Sequence, residues 1–489
     1  MINKVSANAY KYSFTSIDGK VINLKEFKGK PILIVNTASL CGFTNQYKDI
    51  ESLHDEYKEV DLIVLGIPSN DFGNQELSSN AKVKKFCTTN FDISFLLTEI
   101  TKIKGQNGHP FFKWVKEEAG FLAFPKWNFY KYLVNRKGEL VSWYSSTTNP
   151  MSEKIKTEKY ELLGKDLDKV QNYKEAFKCF QKTNELVKVG VEYKQFNPNI
   201  YQQEVLELIN SYSKSKKNSW MNYHQKLNFQ PISLVGFPRS GTTLLDTILS
   251  SHSNIITLEE KPMVAMVKMH LNKIATIENL LNLSEREVIK LRDVYHQELI
   301  KHTNIKMIKN KILIDKLPLS IIDIGLILRI FPNAKFILSL RHPLDCILSC
   351  FMQTFNLNNA MANFLDLKTT AQLYSNSMKL FDIYCKVFKI KYHIVKYEDL
   401  INSLKSEAIS LLKFLDLSWQ DNMAKYRELA LNKKINTPSY NQVTEKIYTR
   451  ASGRWKNYEK ELEFIFPEIK FWIDRWTVSY THLRAHETS

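Results

Sequence analysis

"VGFPRSGTTLL", residues 235–245, has the glycine spacing of a phosphate-binding loop but lacks that loop's lysine. Gly236 and Gly241 stand as in G-x-x-x-x-G-K-[ST]. Thr242 occupies the lysine position, Thr243 follows, and Arg239 sits inside the loop. "QPISLVGF" before it is an apolar strand, and "TTLLDTILSSH" after it reads as a helix. Loop N–H groups and a helix N-terminus together make an anion site. Without the lysine and a clear Mg²⁺ partner, a nucleoside triphosphate fits less well than a mononucleotide bearing another group on its 5′-phosphate.

Further along, "ILIDKLPLSIIDIGLILRIFPNAKFILSLRHPLDCILSCF" (312–351) gives strand, helix, strand, loop, helix. Arg341 ends the strand KFILSL and Ser349 lies on the next helix. KYHIVKYEDL (391–400) and TPSYNQVTEKIYTRASGRWKNYEKEL (437–462) follow. Over residues 229–476 these ordered blocks resemble the sulfotransferase family, in the branch often joined to tetratricopeptide repeats. The resemblance implies a P-loop-like domain with a parallel sheet that uses 3′-phosphoadenosine-5′-phosphosulfate (PAPS) as co-substrate. Arg239, Ser240, Gly241, Thr242 and Thr243 match its 5′-phosphosulfate loop, and Arg341 and Ser349 its 3′-phosphate pair. Tyr397, Ser439 and Arg454 match nucleotide contacts of the tyrosine-sulfating branch. By the same resemblance Glu260 in "TLEEK" is the base, with Glu259 the neighbour it can be confused with. Lys316 in "DKLP" and Arg239 would stabilise the transferred group, and no metal is required. A lone Glu or Lys is more often a solvated surface charge, and only their place within the blocks lifts these. His252 is either a loop contact or a structural histidine. The rival reading of this half is a kinase-like P-loop enzyme.

At the other end, "KPILIVNTASLCGFTNQYKDIESLHDEYKEVDLIVLGIPSNDF" reads strand, loop, helix, strand. Residues 31–37 and 61–67 are buried-strand runs. Tyr47, Ile50, Leu53 and Tyr57 recur at helical spacing, with Thr44 or Asn45 able to cap. A β-α-β order implies a parallel pair. Cys41 falls between strand and helix, where backbone N–H groups stabilise a thiolate; position alone equally allows a small buried hydrophobe. NTASLCGFT, LGIPSNDFGNQE (65–76) and KWNFYKYLVNRKG (126–138) resemble the three signature blocks of the glutathione peroxidase family. That resemblance, covering residues 8–150, implies a thioredoxin fold and thiol-dependent reduction of peroxides. Cys41 matches the peroxidatic nucleophile, with Gln75, Trp127 and Asn128 around it. The short 101–125 region resembles the monomeric, thioredoxin-dependent branch; the expected reductant is thioredoxin or glutathione. A second thiol would then resolve the oxidised Cys41. Cys87 is the candidate in this part, and a core cysteine is the alternative. Ser69 and Asp71 replace the family's usual Cys and Gln.

Between these parts, "YELLGKDLDKVQNYKEAFKCFQKTNELV" places Tyr160, Leu163, Gly164, Leu167, Ala176 and Phe180 at the offsets of one tetratricopeptide repeat. One repeat cannot bury its own face, so this one must lean on a neighbour or be a remnant. "SYSKSKKNS" (211–219) reads as a linker.

The whole chain of 489 residues is thus expected to be α/β overall, with a helical segment between its two sheet domains. Its parts are a peroxidase domain (1–150), a TPR-like helical segment and linker (151–228), a sulfotransferase domain (229–476) and a tail (477–489). The tail reads like translated adapter sequence and is assigned no function. A genuine fusion and an artificial join of two genes are both compatible with this order. A net charge of +17 is carried by Lys-rich composition without a dense basic block, so neither nucleic acid nor membrane is an expected partner. Six sparse cysteines without a C-x-x-C pair argue against a disulfide scaffold or zinc site. No apolar run reaches a membrane span, and the expected location is the cytoplasm. The expected activities are peroxide reduction and sulfuryl transfer from PAPS to an unknown protein, glycan or small-molecule hydroxyl. A dead peroxidase fold serving as a binding module is the competing class.

Overall fold

The computed structural model describes residues 8–57, 62–215, 229–304, 311–427 and 452–478. Ser439, residues 216–219 of the expected 211–219 linker and nearly all of the tail lie outside the described residues, and residues 211–213 are helical rather than linker. Two compact units divide the chain, Met1–Leu162 and Leu163–Ser489.

The first unit opens with a hairpin of β1 (Ser13–Thr15) and β2 (Val21–Asn23). There follow β3 (Ile32–Thr37), α1 (Gln46–Tyr57), β4 (Ile63–Pro68), α2 (Asn80–Phe91), β5 (Leu96–Leu97), α3 (Pro110–Ala119), β6 (Lys131–Val134) and β7 (Leu140–Tyr144). The sheet order is β5-β4-β3-β6-β7. β3, β4 and β5 are parallel, whereas β6 and β7 run antiparallel to their neighbours. All six residues of β3 are buried, as its apolar run predicts for a central strand covered on both faces. Ile32 and Ile34 enter one core with Phe111, Phe112 and Tyr132, while Leu33 and Val35 enter the other with Tyr47, Cys87 and Phe129. This is the thioredoxin fold. The parallel β3–β4 pair and the intervening helix fall where the sequence places them.

Of the two cap candidates, Thr44 and Asn45, the structure leaves Asn45 as the residue before the helix. Thr44 does not cap α1, because its hydroxyl donates to Ala38 O at 2.9 Å and accepts the Cys41 N–H at 2.9 Å. The helix begins at Gln46, so Cys41 lies in the turn between β3 and α1, as the sequence places it.

The second unit begins within α4 (Glu153–Lys169), followed by α5 (Tyr173–Val189) and α6 (Pro198–Ser213). A Cβ on Gly164 would meet the Phe180 ring at 3.0 Å, so the two helices of the hairpin approach as the small residue requires. The hairpin does lean on a neighbour. Ala176 and Phe180 belong to the same core as Val235, Leu338 and Phe351 of the parallel domain. Asn184 Nδ2 donates to Phe351 O at 2.9 Å, and Phe177 stacks on Phe351 at 5.4 Å.

After it come β8 (Ile232–Gly236), α7 (Thr242–Ser250), β9 (Ile255–Glu259), α8 (Met263–Leu271), α9 (Ile277–Leu281), α10 (Glu285–His302), β10 (Ile312–Lys316) and α11 (Ile324–Ile330). β11 (Lys335–Leu340), α12 (Pro343–Phe351), α13 (Leu367–Phe388), β12 (Lys391–Lys396), α14 (Tyr397–Asn402), α15 (Leu404–Phe414) and α16 (Phe466–Val478) complete it. The sheet, in the order β12-β11-β8-β10-β9, is parallel in every pairing. β8 is flanked by β10 and β11, which follow it in the chain, so a topological switch point lies at its carboxyl end. The Gly236–Gly241 loop stands there.

Candidate functional site

In the first unit, Cys41 is buried, and the Phe43 N–H lies 3.5 Å from its sulfur. The loop that carries it is clamped to the 70–77 segment. Leu40 N–H donates to Gln75 O at 2.9 Å, and Ser39 N–H to Glu76 Oε1 at 3.1 Å. Glu76 is buried, also accepts the Leu77 N–H at 2.8 Å, and is pushed up by desolvation. Asn128, wholly buried, donates its Nδ2 to Gln75 Oε1 at 3.1 Å and to Phe72 O at 3.3 Å. With its oxygen so engaged, Gln75 has its own amide N–H₂ left as the donor for a bound group. A Cβ on Gly73 would stand 3.2 Å from the Trp127 ring and 3.5 Å from Gln75, so the bare glycine lets those two gather. Trp127 is 39% exposed. The structure therefore brings Gln75, Trp127 and Asn128 together beside the loop of Cys41.

Cys87 is fully buried on α2, in the same core as Cys41, and burial pushes its thiol up to about 11. Four residues that hold this arrangement went unread in the sequence: Asn36, Glu76, Lys131 and Ser146. Asn36 donates to Trp127 O at 3.0 Å and accepts the Tyr130 N–H at 2.9 Å. A buried asparagine inside an otherwise apolar strand run was the available signal.

Lys131 is wholly buried, and desolvation pulls its amine down to about 7, against an ordinary 10.5. Between those values the unfolded chain binds more protons than the folded one, so stability rises with pH through that window. We expect the unfolding free energy of the first unit to climb from pH 7 toward pH 10, by at most about 5 kcal/mol. Lys131→Met should flatten that slope. Unfolding free energies measured at closely spaced pH values check it.

In the second unit the 236–241 loop closes tightly. A Cβ on Gly236 would meet Ser339 O at 2.5 Å, and one on Gly241 would meet the Tyr397 ring at 2.7 Å. Gly241 has φ +97°, which favours glycine, and Arg239 is left-handed at +70°. The Ser240 hydroxyl is buried and has no hydrogen-bond partner among the described residues. It is an unused polar group inside an anion-type loop, and its chemistry fits an oxygen of a bound anion. Thr242 and Thr243 open α7 and are buried. Arg239 Nε donates to Ser349 Oγ at 3.0 Å, and Arg341 Nη1 donates to Arg239 O at 3.0 Å. The Arg341 guanidinium also lies 5.1 Å over the Tyr397 ring. The loop and the predicted 3′-phosphate pair are thus one cluster.

Glu259 pairs with Lys316 across β9 and β10, and Glu260 follows in a left-handed conformation, φ +51°. Glu260 N–H donates to Lys316 O at 2.8 Å. Lys316 Nζ reaches Glu260 at 2.8 Å and Glu259 at 3.2 Å. The ammonium is fully buried, whereas the Glu260 side chain is 43% exposed and that of Glu259 15%. Of the two carboxylates, Glu260 is the one an outside hydroxyl can reach. His252 uses both ring nitrogens locally, with Ser418 O at 3.0 Å and the Asn254 N–H at 3.1 Å, and is structural.

Arg454 bonds Asp168 at the end of α4, at 3.0 Å, and Tyr458 Oη donates to the same carboxylate at 2.6 Å. Asp345 on α12 accepts the Gly453 N–H at 2.7 Å and the Trp455 N–H at 2.9 Å, and Trp455 stacks on His342 at 4.9 Å. Two aspartates unread in the sequence therefore dock the 453–458 turn. A cavity of about 540 Å³ lies beside it, lined by Arg341, His342, Lys396, Trp455, Lys456 and Trp476 among others.

The first unit is a thioredoxin-type fold built around a buried thiol with amide and indole donors; the second is a parallel α/β fold built around an anion loop. Residues 9–116 match the glutathione peroxidase family and residues 231–421 the sulfotransferase family. The glutathione peroxidase of Lactococcus lactis subsp. cremoris is 37% identical over 153 residues, covering 30% of this chain and 98% of that protein. The hydroperoxy fatty acid reductase gpx1 of Synechocystis sp. is 38% identical over 158 residues, 31% of this chain and 94% of that protein. The sulfotransferase domain of the Synechococcus PCC 7002 olefin synthase is 20% identical, covers 47% of this chain and 90% of its own, and has a TM-score of 0.34. The chain belongs to the glutathione peroxidase family through its N-terminal part and carries a sulfotransferase-family domain in its C-terminal part. Among the described residues no helix is long and apolar enough to cross a membrane.

Proposed function

We propose that the chain is bifunctional, reducing hydrogen peroxide and organic hydroperoxides at Cys41 and transferring a sulfuryl group from PAPS to a hydroxyl acceptor. The gathering of Gln75, Trp127 and Asn128 beside the Cys41 loop supports the first activity. In it the Cys41 thiolate attacks the O–O bond of ROOH, forming Cys–SOH and releasing ROH once the alkoxide gains a proton. Gln75 and Trp127 donate to the leaving oxygen, and Asn128 acts by orienting Gln75. A second thiol then displaces water from the sulfenic acid to give a disulfide, which thioredoxin or glutathione reduces. Cys87 fills that role only when α2 opens, because its thiol is buried and held protonated. The Synechocystis relative's name favours fatty-acyl hydroperoxides among the organic substrates.

For the second activity, the single cluster of Ser240, Arg239, Ser349 and Arg341 supports a nucleotide with phosphates at both 5′ and 3′ positions. PAPS supplies the sulfuryl group. Thr242, Thr243 and the loop N–H groups would hold its 5′ end, and Arg341, Ser349 and Tyr397 the 3′ end. Arg454 and Ser439 are proposed as further nucleotide contacts. Glu260 would take the acceptor's proton, with Lys316 holding its carboxylate in place. The α4–α5 hairpin is proposed as a single tetratricopeptide repeat absorbed into this domain.

Two measurements test the reading. Isothermal titration should show micromolar binding of adenosine-3′,5′-bisphosphate and none of Mg·ATP; the reverse would mark a kinase-like site. Peroxide should be consumed with thioredoxin or glutathione as reductant. An absence of turnover with Cys41 demonstrably reduced would favour a binding module.

A further inference from the structure

Trp127 and Asn128 stand on a turn that does not hold its own shape. Phe129, the next residue, is left-handed at φ +65°, a conformation strained for a bulky residue. The turn keeps it because it is bracketed. On one side Asn36 binds Trp127 O and the Tyr130 N–H through its side chain, and its carbonyl accepts the Phe129 N–H at 2.5 Å. On the other, Ser146 Oγ donates to Asn128 O at 2.5 Å. Ser146 is itself fixed by Gln46 Nε2, which donates to its carbonyl at 2.6 Å.

The remaining bracket is Lys131. Its Nζ donates to Phe129 O at 2.9 Å and to Ser145 O at 3.3 Å. Lysine is almost never wholly buried unless paired with a charge. Here both hydrogen-bond acceptors are main-chain carbonyls, and Asp49 is the charge that acts on it through space. An apolar side chain would fit this strand at lower desolvation cost. What the amine adds is a bridge from the carbonyl that follows Asn128 to the end of β7.

We infer that Lys131 is a positioning residue for peroxide reduction, locking the turn that presents Trp127 and Asn128. The inference rests on the reading of those two residues as part of the peroxidatic site. Without the bridge, Phe129 O and Ser145 O lose their partner and the left-handed turn can relax. Asn128 then no longer fixes Gln75, and the donors fall out of line with the leaving oxygen. The Cys41 loop is held separately, through Glu76 and the Gln75 carbonyl, so the thiol itself should stay in place.

That separation gives the test. In the full chain, single-turnover oxidation of Cys41 by hydrogen peroxide is compared with its alkylation by iodoacetamide, both followed by mass spectrometry of the Cys41 peptide. Alkylation needs only an accessible thiolate, whereas peroxide cleavage also needs aligned donors. Lys131→Met should slow peroxide oxidation by about tenfold or more, the scale of a small misplacement, and change alkylation less than about twofold. Lys131→Gln, which keeps a neutral N–H donor for the carbonyls, should recover part of the loss. Ser146→Ala, which introduces no buried charge, should show the same split more weakly. Wild-type peroxide rates in both Lys131→Met and Ser146→Ala overturn the inference. Equal losses in both reactions also overturn it, because they mark general damage. If Cys41 of the unmodified chain reacts no faster than a free thiol, the reading of the site fails instead.

Discussion

Cys41→Ser is expected to abolish peroxide consumption, with a loss of at least about 10³-fold, or ~4 kcal/mol in barrier. A serine hydroxyl is nearly isosteric but is not ionised at neutral pH and is a poor nucleophile toward an O–O bond. Gln75, Trp127 and Asn128 would remain in place and have nothing to assist. The thiol beneath provides the contrast. Cys87 is held near 11 by burial and has no solvent contact, so in the resting fold almost none of it is thiolate. Cys87→Ser should therefore leave the first oxidation of Cys41 unchanged and act, if Cys87 resolves, only on steady-state turnover. Stopped-flow oxidation followed by steady-state assay with thioredoxin separates the two steps. Undiminished peroxide consumption by Cys41→Ser would move the chemistry to another group and end the peroxidase reading of this site.

The residues proposed to do the chemistry were legible because they sit in short ordered blocks. Cys41, Gln75, Trp127 and Asn128 each lie within a few residues of distinctive neighbours, and the spacing of Gly236 and Gly241 alone announces an anion loop. Both glycines are needed there, since side chains at either would strike Ser339 O or the Tyr397 ring. The residues that hold these groups were not legible. Asn36 meets Trp127 from a distant strand, Lys131 meets Ser145 from a neighbouring one, and Asp345 meets Gly453 and Trp455 from another helix. Such contacts are set by sheet register and loop closure, which no local period encodes. Of the two cap candidates, Thr44 drops out for the opposite reason, and Asn45 is left as the residue before Gln46. The local rule was sound, but the hydroxyl found a better pair of partners in Ala38 O and the Cys41 N–H. The α4–α5 hairpin shows the same limit at larger scale. Its offsets were visible, whereas the partner for its apolar face lies in the core of the parallel domain.

Arg341→Ala is expected to weaken adenosine-3′,5′-bisphosphate binding by about 100-fold, while adenosine-5′-monophosphate loses less than about threefold. A charge-assisted bond to a phosphate in a partly buried site is worth roughly 1.5–3 kcal/mol, and 2.7 kcal/mol is a factor of about 100. Arg341 stands at the end of β11, is largely buried, and is braced by Tyr397. The monophosphate is the necessary control. Arg341 also donates to Arg239 O, so its removal could loosen the 5′ loop itself. Loop damage would weaken both ligands, whereas loss of a 3′-phosphate contact weakens only the ligand that has one. Arg341→Lys keeps the charge but not the planar fork that serves both the Arg239 carbonyl and a phosphate. It should fall between the parent and the alanine variant for the bisphosphate. Equal losses for the two nucleotides would assign Arg341 to bracing the loop. Unchanged binding of both would place the 3′-phosphate elsewhere, with the cations of the neighbouring cavity, Lys396 and Lys456, the next to substitute.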